Sequence, residues 1–237
     1  MTYPERIVPD KTSPGIVALH LKRYEFALPW CRDRAVLDAG CGVGYGTAHL
    51  AEAAASVVGV DRDEAAIAYA RGRYSRPNVE FRVRDLLDLD LPDASFDVVC
   101  SFETIEHVED VDAFLGELTR VLRPEGIFLV STPRVAETTA SPENPFHRVE
   151  LSPEDFEALL RRFFGEVELY GQRRLQTARH RLMQRLDVLG LRRRLPRARR
   201  LSALLGTAPT AEVTRDGIVI ERGKLEHASE LVAVCTR

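Results

Sequence analysis

The chain has 237 residues, 45% of them hydrophobic and 29% charged, with a formal net charge of −3. This composition excludes an intrinsically disordered chain and is typical of one folded domain with an elaboration. The sequence shows no apolar run of ~18 residues, the length that a membrane-spanning helix needs. Residues 1–14 lack the apolar core of a signal peptide, so we expect a cytoplasmic protein.

Strand-like and helix-like patterns alternate along the chain. Ser13 followed by Pro14 is typical of a helix start, and the pattern that follows predicts a helix to about Leu28. Strand, helix and strand in alternation indicate parallel pairing with right-handed crossovers, which is an α/β fold with a doubly wound sheet. Seven segments have strand patterns: 35–38, 56–61, 79–83, 96–100, 127–130, 167–170 and 231–234.

We expect a single domain made of four consecutive parts. They are an N-terminal helix (1–34), a ligand-binding core (35–170), an arginine-rich insertion (171–226) and a final strand (227–237).

The insertion is strongly basic in a chain that is slightly acidic. Residues 171–204 contain eleven arginines and one acidic residue. They include no aromatic residue on which bases can stack, so nucleic acid is not favoured as a partner. Leucines at helical spacing predict an amphipathic helix that packs on the domain or on a partner. The arginines can bind a membrane surface or a phosphate-bearing ligand. They can also form a face that is only solvated. The sequence does not indicate the oligomeric state.

A glycine-rich turn follows the first strand with the spacing Asp38-x-Gly40-x-Gly42-x-Gly44. The turn matches neither the G-x-G-x-x-G of dinucleotide-binding folds nor a phosphate loop that ends in GK[ST]. In an open α/β sheet, ligands bind at the carboxyl ends of the strands, which is where this turn lies. A carboxylate at the entrance of the turn disfavours an anionic ligand and favours one with a positively charged end.

Asp61 ends the second strand, 21 residues after Gly40. At that position a carboxylate can accept hydrogen bonds from two adjacent ribose hydroxyls. The alternative is that Asp61 only caps the following helix. Taken with Asp38, the first interpretation indicates a nucleoside that carries a charged amino-acid tail.

Four stretches, in this order, resemble the motifs of the class I S-adenosylmethionine-dependent methyltransferases. They are VLDAGCGVGYG, VVGVD, RDLLDLDLPDASFDVVCSFETIEHV and RVLRPEGIFLVSTP, and together they cover about residues 35–133. The next stretch, NPFHRVELSPEDFEALLRRFF, resembles a bacterial subset that modifies sugars, polysaccharides or other small molecules. The resemblance implies a Rossmann-like sheet of seven strands with the last strand antiparallel and inserted, an N-terminal lid helix, and S-adenosylmethionine as methyl donor.

The resemblance also implies roles for residues at the strand ends. Asp38 would lie near the methionine ammonium, and Asp61 would hold the ribose hydroxyls. Asp85 would receive the adenine amino group, although an acid in a turn can also be merely solvated. The remaining positions would line the cofactor: Gly40, Cys41, Gly42 and Gly44 along methionine and ribose, Arg62 and Leu86 beside the adenine, and Ser101 and Phe102 beside the methionine tail.

Glu103, Glu106 and His107 follow the fourth strand, and His147 lies in the long loop after the fifth. On a helical turn the spacing i, i+3, i+4 would place the first three on one face. Three interpretations are open. In the first, His107 or His147 is a general base that removes a proton from a hydroxyl acceptor. In the second, the four residues hold a divalent cation, as in certain RNA-end and quinone-pathway relatives. In the third, they only shape the pocket and cap the next helix.

The expected function is methyl transfer to a small molecule, with a hydroxyl of a sugar, glycan or related metabolite as the first candidate. A quinone or natural-product O-methyltransferase and a sugar N-methyltransferase are alternatives. A catalytically silent binding module on the same fold is the alternative from another class. His20 and Tyr24 are four residues apart on the first helix, so both can contact the acceptor from a lid, although simple packing is also open.

Overall fold

The computed structural model of the protein describes residues 6–175 and 213–237. In these ranges eight strands form one sheet, in the order β3-β2-β1-β4-β5-β8-β6-β7. Five helices of six residues or more accompany them. The strands are β1 (Ala35–Ala39), β2 (Ser56–Asp61), β3 (Val79–Val83), β4 (Phe96–Phe102), β5 (Leu122–Pro133), β6 (Glu166–Arg174), β7 (Ile218–Arg222) and β8 (Glu230–Thr236).

The helices begin where the sequence provides caps. Asp63 accepts hydrogen bonds from the backbone N–H groups of Ala65 and Ala66 at 2.8 and 3.1 Å, so α3 begins directly after it. Proline occupies the first turn of α1 and of α5, where its missing N–H costs nothing. The helices are α1 (Pro14–Cys31), α2 (Tyr45–Leu50), α3 (Glu64–Tyr74), α4 (Val111–Val121) and α5 (Pro153–Leu160).

The first five strands pair in parallel, which confirms the doubly wound α/β fold. Their carboxyl ends therefore lie along one edge of the sheet. Val98, Val99 and Cys100 of β4 have no exposed surface, as expected of a central strand that is covered on both faces. The residues that follow β1, β2 and β4 in sequence are thus brought together at one edge.

The strand β8 is antiparallel and lies between β5 and β6, as the family resemblance implies. The sheet has eight strands rather than seven. The additional strand, β7, falls inside the segment 171–226 that arginine content delimits as an insertion, and it pairs with β6. Its β-branched residues favour a strand, but the charge of the segment hides this signal. The predicted amphipathic helix lies in residues 176–212, outside the described residues.

The helix α1 lies across α2 and one face of the sheet. Tyr24, Ala27 and Cys31 are buried in one apolar cluster with Val36 of β1 and Phe102 of β4. The family resemblance implies that this helix acts as a lid, and that role stays a prediction. None of the helices in the described ranges is long and apolar enough to cross a membrane.

Candidate functional site

The glycine turn between β1 and α2 depends on left-handed backbone. Gly40, Gly42 and Gly44 have φ of 82°, 55° and 84°, values that residues with a Cβ rarely adopt. A Cβ on Gly44 would also lie 2.7 Å from the Cβ of Ala70 and from the ring of Phe81. The left-handed backbone and the lack of a side chain at Gly44 let the turn pack closely against α3 and β3.

Asp61 closes the glycine turn from the end of β2. Its carboxylate accepts hydrogen bonds from the backbone N–H of Gly42 and of Asp63, both at 2.9 Å. The interpretation that Asp61 only caps α3 is wrong, because the capping side chain is that of Asp63. Two backbone N–H groups thus orient the carboxylate of Asp61 beside the glycine turn.

Arg6 also contacts this carboxylate, and the sequence does not indicate it. Its guanidinium pairs closely with Asp63 and lies 3.4 Å from an oxygen of Asp61. The pairing with Arg6 is the main reason why the pKa of Asp63 is lowered. The segment that carries Arg6 is held by Val8, which is buried against Val43 and other apolar residues of the loop region.

Asp38 is buried beneath the glycine turn. One carboxylate oxygen accepts a hydrogen bond from the Thr47 hydroxyl at 2.6 Å, and the other accepts one from the Tyr24 hydroxyl at 3.3 Å. Burial raises the pKa of Asp38 to about 7, although both hydrogen bonds oppose the shift. The protonation of Asp38 is therefore sensitive to pH near neutrality.

The other predicted cofactor residues lie along the same edge. Ser101 is buried and donates a hydrogen bond to the carbonyl of Ala39 at 2.8 Å, which ties β4 to β1. Phe102 packs edge-on against Tyr24, with ring centroids 5.0 Å apart. Cys41 is buried beside the loop, Leu86 is partly buried, and Arg62 and Asp85 are exposed. Asp85 accepts a hydrogen bond from the backbone N–H of Leu87, as an acid in a turn does.

Glu103, Glu106 and His107 do not share one helical face. The helical turn spans Ile105–His107, whereas Glu103 precedes it with a left-handed φ of 52°. An oxygen of Glu103 accepts a hydrogen bond from the Ser131 hydroxyl at 2.8 Å. The spacing argument was wrong because the backbone turns sharply between β4 and this helical turn. A non-glycine residue in the left-handed region costs about 1–3 kcal/mol and is typical of functional sites.

Glu106 is buried and accepts a hydrogen bond from the Thr132 hydroxyl at 3.3 Å. Burial, and then the charge of Glu103, raise the pKa of Glu106 well above its usual value. Both effects favour the protonated form of Glu106.

The rings of His107 and His147 pack in a T-shaped arrangement, with ring centroids 4.8 Å apart. Nδ1 of His107 is 2.9 Å from the carbonyl oxygen of Phe146. A carbonyl can only accept, so Nδ1 donates this hydrogen bond. Nδ1 of His147 is 2.6 Å from a carboxylate oxygen of Glu150, and its Nε2 is 2.9 Å from the amide nitrogen of Asn144. Two partners thus hold the ring of His147 in place.

This cluster does not fit a divalent cation as it stands. The candidate ligand atoms of Glu106, His107 and His147 lie within 4.8 Å of one another. However, burial favours the protonated form of Glu106, and both ring nitrogens of His147 bind protein groups. A metal ligand must offer a lone pair, so these two side chains would have to change their protons or partners. Glu103, the fourth predicted ligand, is bound to Ser131.

The two residues predicted to contact the acceptor from α1 have other partners. Tyr24 is buried, and its hydroxyl is bound to Asp38. Burial, and then the charge of Arg23, lower the pKa of His20 well below its usual value, so His20 is neutral at pH 7. Arg23 lies on the same helix and is fully buried. The sequence does not single it out, because arginines on helices are usually solvated.

Comparison with known proteins identifies the fold and its motifs. Residues 37–130, which carry the glycine turn, Asp61 and the end of β4, match a family model described as a methyltransferase domain. These residues form a methyltransferase domain of the class I S-adenosylmethionine-dependent type. S-adenosylmethionine is the cofactor of this family.

Related proteins match a larger part of the methyltransferase chain. A probable S-adenosylmethionine-dependent methyltransferase of Mycolicibacterium smegmatis is 44% identical over 168 residues, which are 67% of this chain and 65% of that protein. The chain thus spans less than two thirds of this relative's length. A ubiquinone biosynthesis O-methyltransferase of Paramagnetospirillum magneticum is 37% identical over 127 residues, 49% of this chain and 51% of that protein.

A solved structure supports the architecture. A methyltransferase of Thermotoga maritima, described as a possible histamine N-methyltransferase, superposes with a TM-score of 0.63 at 18% identity. The match covers 93% of this chain and 91% of that one. At this identity the likeness concerns the fold alone.

Proposed function

We propose that the protein transfers the methyl group of S-adenosylmethionine to a hydroxyl of a small molecule. The observation that carries the proposal is the carboxylate of Asp61, which two backbone N–H groups orient beside the glycine turn at 2.9 Å each. Cofactor residues Asp38, Gly40, Gly42 and Gly44 meet at that edge. The family membership supports the same cofactor.

We favour a hydroxyl as the acceptor because His107, a candidate base, lies in the turn that follows β4 at the carboxyl edge of the sheet. Methyl transfer from a sulfonium is an in-line displacement, in which alignment alone can supply roughly 7–11 kcal/mol. A neutral amine needs no further help, whereas a hydroxyl gains about 10²- to 10⁴-fold from a positioned base. His107, whose Nδ1 lies 2.9 Å from the carbonyl oxygen of Phe146, is the proposed base: it accepts the hydroxyl proton as the O–CH₃ bond forms and the S–CH₃ bond breaks.

Sugar or glycan hydroxyls are the first acceptor class, on the resemblance of residues 144–164 to sugar-modifying relatives. Phenols of the quinone type are the second, because a relative is named a ubiquinone biosynthesis O-methyltransferase. Transfer of radiolabelled methyl groups to a panel of methyl glycosides, nucleotide sugars and dihydroxybenzoates would separate the two classes.

The cofactor can be tested without knowing the acceptor. S-adenosylhomocysteine should raise the melting temperature, whereas NADH should not, because the loop lacks the dinucleotide spacing. Stabilisation by NADH and not by S-adenosylhomocysteine would overturn the proposal. Cofactor binding without transfer to any acceptor would instead support the silent binding module.

A further inference from the structure

Two glutamates that are distant in the sequence lie on the same side of the sheet. Glu230 begins β8, where it lies opposite Pro133 of β5 and Gln172 of β6. Residues that face each other across strands point to the same side of a sheet, and so do residues two apart along a strand. Ser131, whose hydroxyl binds Glu103, is two residues before Pro133. The side chains of Glu103 and Glu230 are therefore on one side of the carboxyl edge.

Gln172 and Ser229 hold the carboxylate of Glu230 in place. Nε2 of Gln172 donates a hydrogen bond to Oε2 of Glu230 at 2.9 Å, and it also donates to the carbonyl oxygen of Leu19 in α1 at 3.4 Å. The Ser229 hydroxyl donates to the same oxygen of Glu230 at 2.6 Å. None of the residues in the described ranges donates to Oε1 of Glu230, so this oxygen can accept a hydrogen bond from a ligand.

A second acceptor atom in this cluster also lacks a donor. Gln172 has no exposed surface, and its Oε1 has no hydrogen-bond partner among the residues that the structure describes. Turning the amide over would not supply one, because the amide nitrogen already faces two acceptors, Glu230 and the carbonyl of Leu19. A buried acceptor without a partner is unfavourable, so the cluster requires a ligand that donates hydrogen bonds.

The charges around the cluster favour a neutral donor. Arg23 of α1 is fully buried and interacts electrostatically with Glu103 and with Glu230. A cationic ligand would be repelled by Arg23 and by the sulfonium of the proposed methyl donor, whereas a hydroxyl donates a hydrogen bond without adding charge. The side chain of Glu103 is 19% exposed and Glu230 is partly exposed, so both can be reached from solvent. The cluster therefore suits hydroxyl groups.

We propose that Glu230 binds a second hydroxyl of the acceptor, so that the protein selects acceptors with two or more hydroxyls over those with one. The inference rests on the proposed function. One hydroxyl of the acceptor receives the methyl group, and another donates to Oε1 of Glu230 while Gln172 and Ser229 keep that carboxylate in place. The second hydroxyl can also supply the donor that Oε1 of Gln172 lacks. Sugars and catechols both offer this chemistry.

The test compares acceptors that differ by one hydroxyl. In the sugar arm, methyl α-D-glucopyranoside and methyl α-D-mannopyranoside are each compared with their monodeoxy analogues, and in the phenol arm catechol is compared with phenol. Transfer of radiolabelled methyl groups from S-adenosylmethionine gives kcat/KM for each compound. In the wild type, loss of the hydroxyl that Glu230 binds should lower kcat/KM by about tenfold or more, as expected when a hydrogen bond to a charged group is lost. The arm in which methyl transfer occurs identifies the source of the two hydroxyls.

Glu230→Gln should reduce this preference to a few-fold or less, because the amide lacks the charge that strengthens the hydrogen bond. Effects of the substitution on cofactor binding act on both acceptors and cancel in the ratio of their kcat/KM values. Glu226→Gln is the matched control, because it makes the same change at an exposed glutamate in the loop before β8, and it should leave the ratio unchanged. If Glu230→Gln does not fold, Ser229→Ala removes one of the hydrogen bonds that orient Glu230 and should still lower the preference.

A wild-type protein that methylates an acceptor and all of its analogues with equal kcat/KM would overturn the inference, and so would a preference that Glu230→Gln and Ser229→Ala both leave unchanged. Binding of S-adenosylhomocysteine without transfer to any hydroxyl compound would contradict the proposed function, and the inference with it. The two failures are distinguishable, because a methylated product forms only in the first case.

Discussion

The hydroxyl of Tyr24 donates a hydrogen bond of 3.3 Å to the carboxylate of Asp38, which joins α1 to the end of β1. The ring of the same tyrosine covers Gly46 in α2. A Cβ on Gly46 would lie 2.0 Å from the ring, closer than any real contact. One side chain thus fits α1 onto the glycine turn, and the fit requires that Gly46 have no side chain.

Gly46→Ala should destabilise the protein by about 1–3 kcal/mol through overpacking against Tyr24. It should also weaken S-adenosylhomocysteine binding, because the displaced ring releases Asp38. Denaturant unfolding and titration measure the two effects.

Gly72→Ala is the matched control for this substitution. Gly72 lies in α3, and a Cβ there would meet no atom within 4 Å. The control should stabilise the protein by about 0.5–1 kcal/mol, because alanine is the better helix former. A Gly46 variant as stable as the wild type would contradict the packing of Tyr24.

Cofactor affinity should depend on pH through Asp38. The pKa of this carboxyl is about 7 in the free protein, and an ammonium favours the charged form. Affinity for S-adenosylhomocysteine should therefore rise from pH 6 to pH 8, with proton release on binding below pH 7. Titrations in buffers of different ionisation enthalpy detect the proton. Asp38→Asn should remove the dependence, and a profile that is flat in the wild type would contradict the role of Asp38.

The carboxyl of Asp38 should also make the free energy of unfolding fall as the pH rises. A folded-state pKa raised above the unfolded value means that the folded state holds the proton more tightly between pH ~4 and pH ~7. The contribution is fully present below pH ~4 and is lost as the pH rises through about 7. Compared with Asp38→Asn, the wild type should lose on the order of 2–4 kcal/mol of unfolding free energy over this window.

Asp61→Asn should lower the affinity for S-adenosylhomocysteine by about tenfold or more, because charged hydrogen bonds to the ribose contribute ~1.5–3 kcal/mol. Asp63→Ala is the control two residues away. It removes the cap of α3 and should cost about 0.5–2 kcal/mol of stability while leaving the affinity nearly unchanged. Similar affinity losses in both variants would indicate a general disturbance of the loop and not ribose recognition.

His107→Ala should lower kcat by about 10²- to 10⁴-fold and spare the affinity for S-adenosylhomocysteine. It should also remove the acidic limb of the pH–rate profile that a general base produces. His147→Ala should lower kcat less, because His147 positions the pocket through Asn144 and Glu150. Unchanged turnover in His107→Ala would return the residue to a structural role.

A chelator should leave turnover unchanged, because burial disfavours the charged form of Glu106 and His147 is held at both nitrogens. Loss of turnover with EDTA, restored by Mg²⁺, Mn²⁺ or Zn²⁺, would show that these side chains rearrange around a cation. Measuring the melting temperature with and without EDTA distinguishes a catalytic from a stabilising ion.

Local patterns in the sequence determined the order of the elements and the residues at the strand ends. Alternating strands and helices require a parallel sheet, and its geometry brings Asp38, Asp61 and Glu103 to one edge. The spacing of the glycines likewise separates this loop from those of dinucleotide-binding folds. These properties depend on backbone sterics and periodicity, which neighbouring residues dictate.

Only the tertiary structure decided which of these residues carry a charge and which partners they have. Arg6 and Asp61 are 55 positions apart, and Arg23 and Glu103 are 80 positions apart, so no local pattern couples them. The strand β7 was hidden for a related reason, since its partner β6 lies beyond a long basic segment. Burial raises the pKa of Asp38 and of Glu106, and the folded chain as a whole sets burial. The sequence predicts which residues lie at this edge of the sheet. Burial and contacts between distant parts of the chain then determine their charges and their partners.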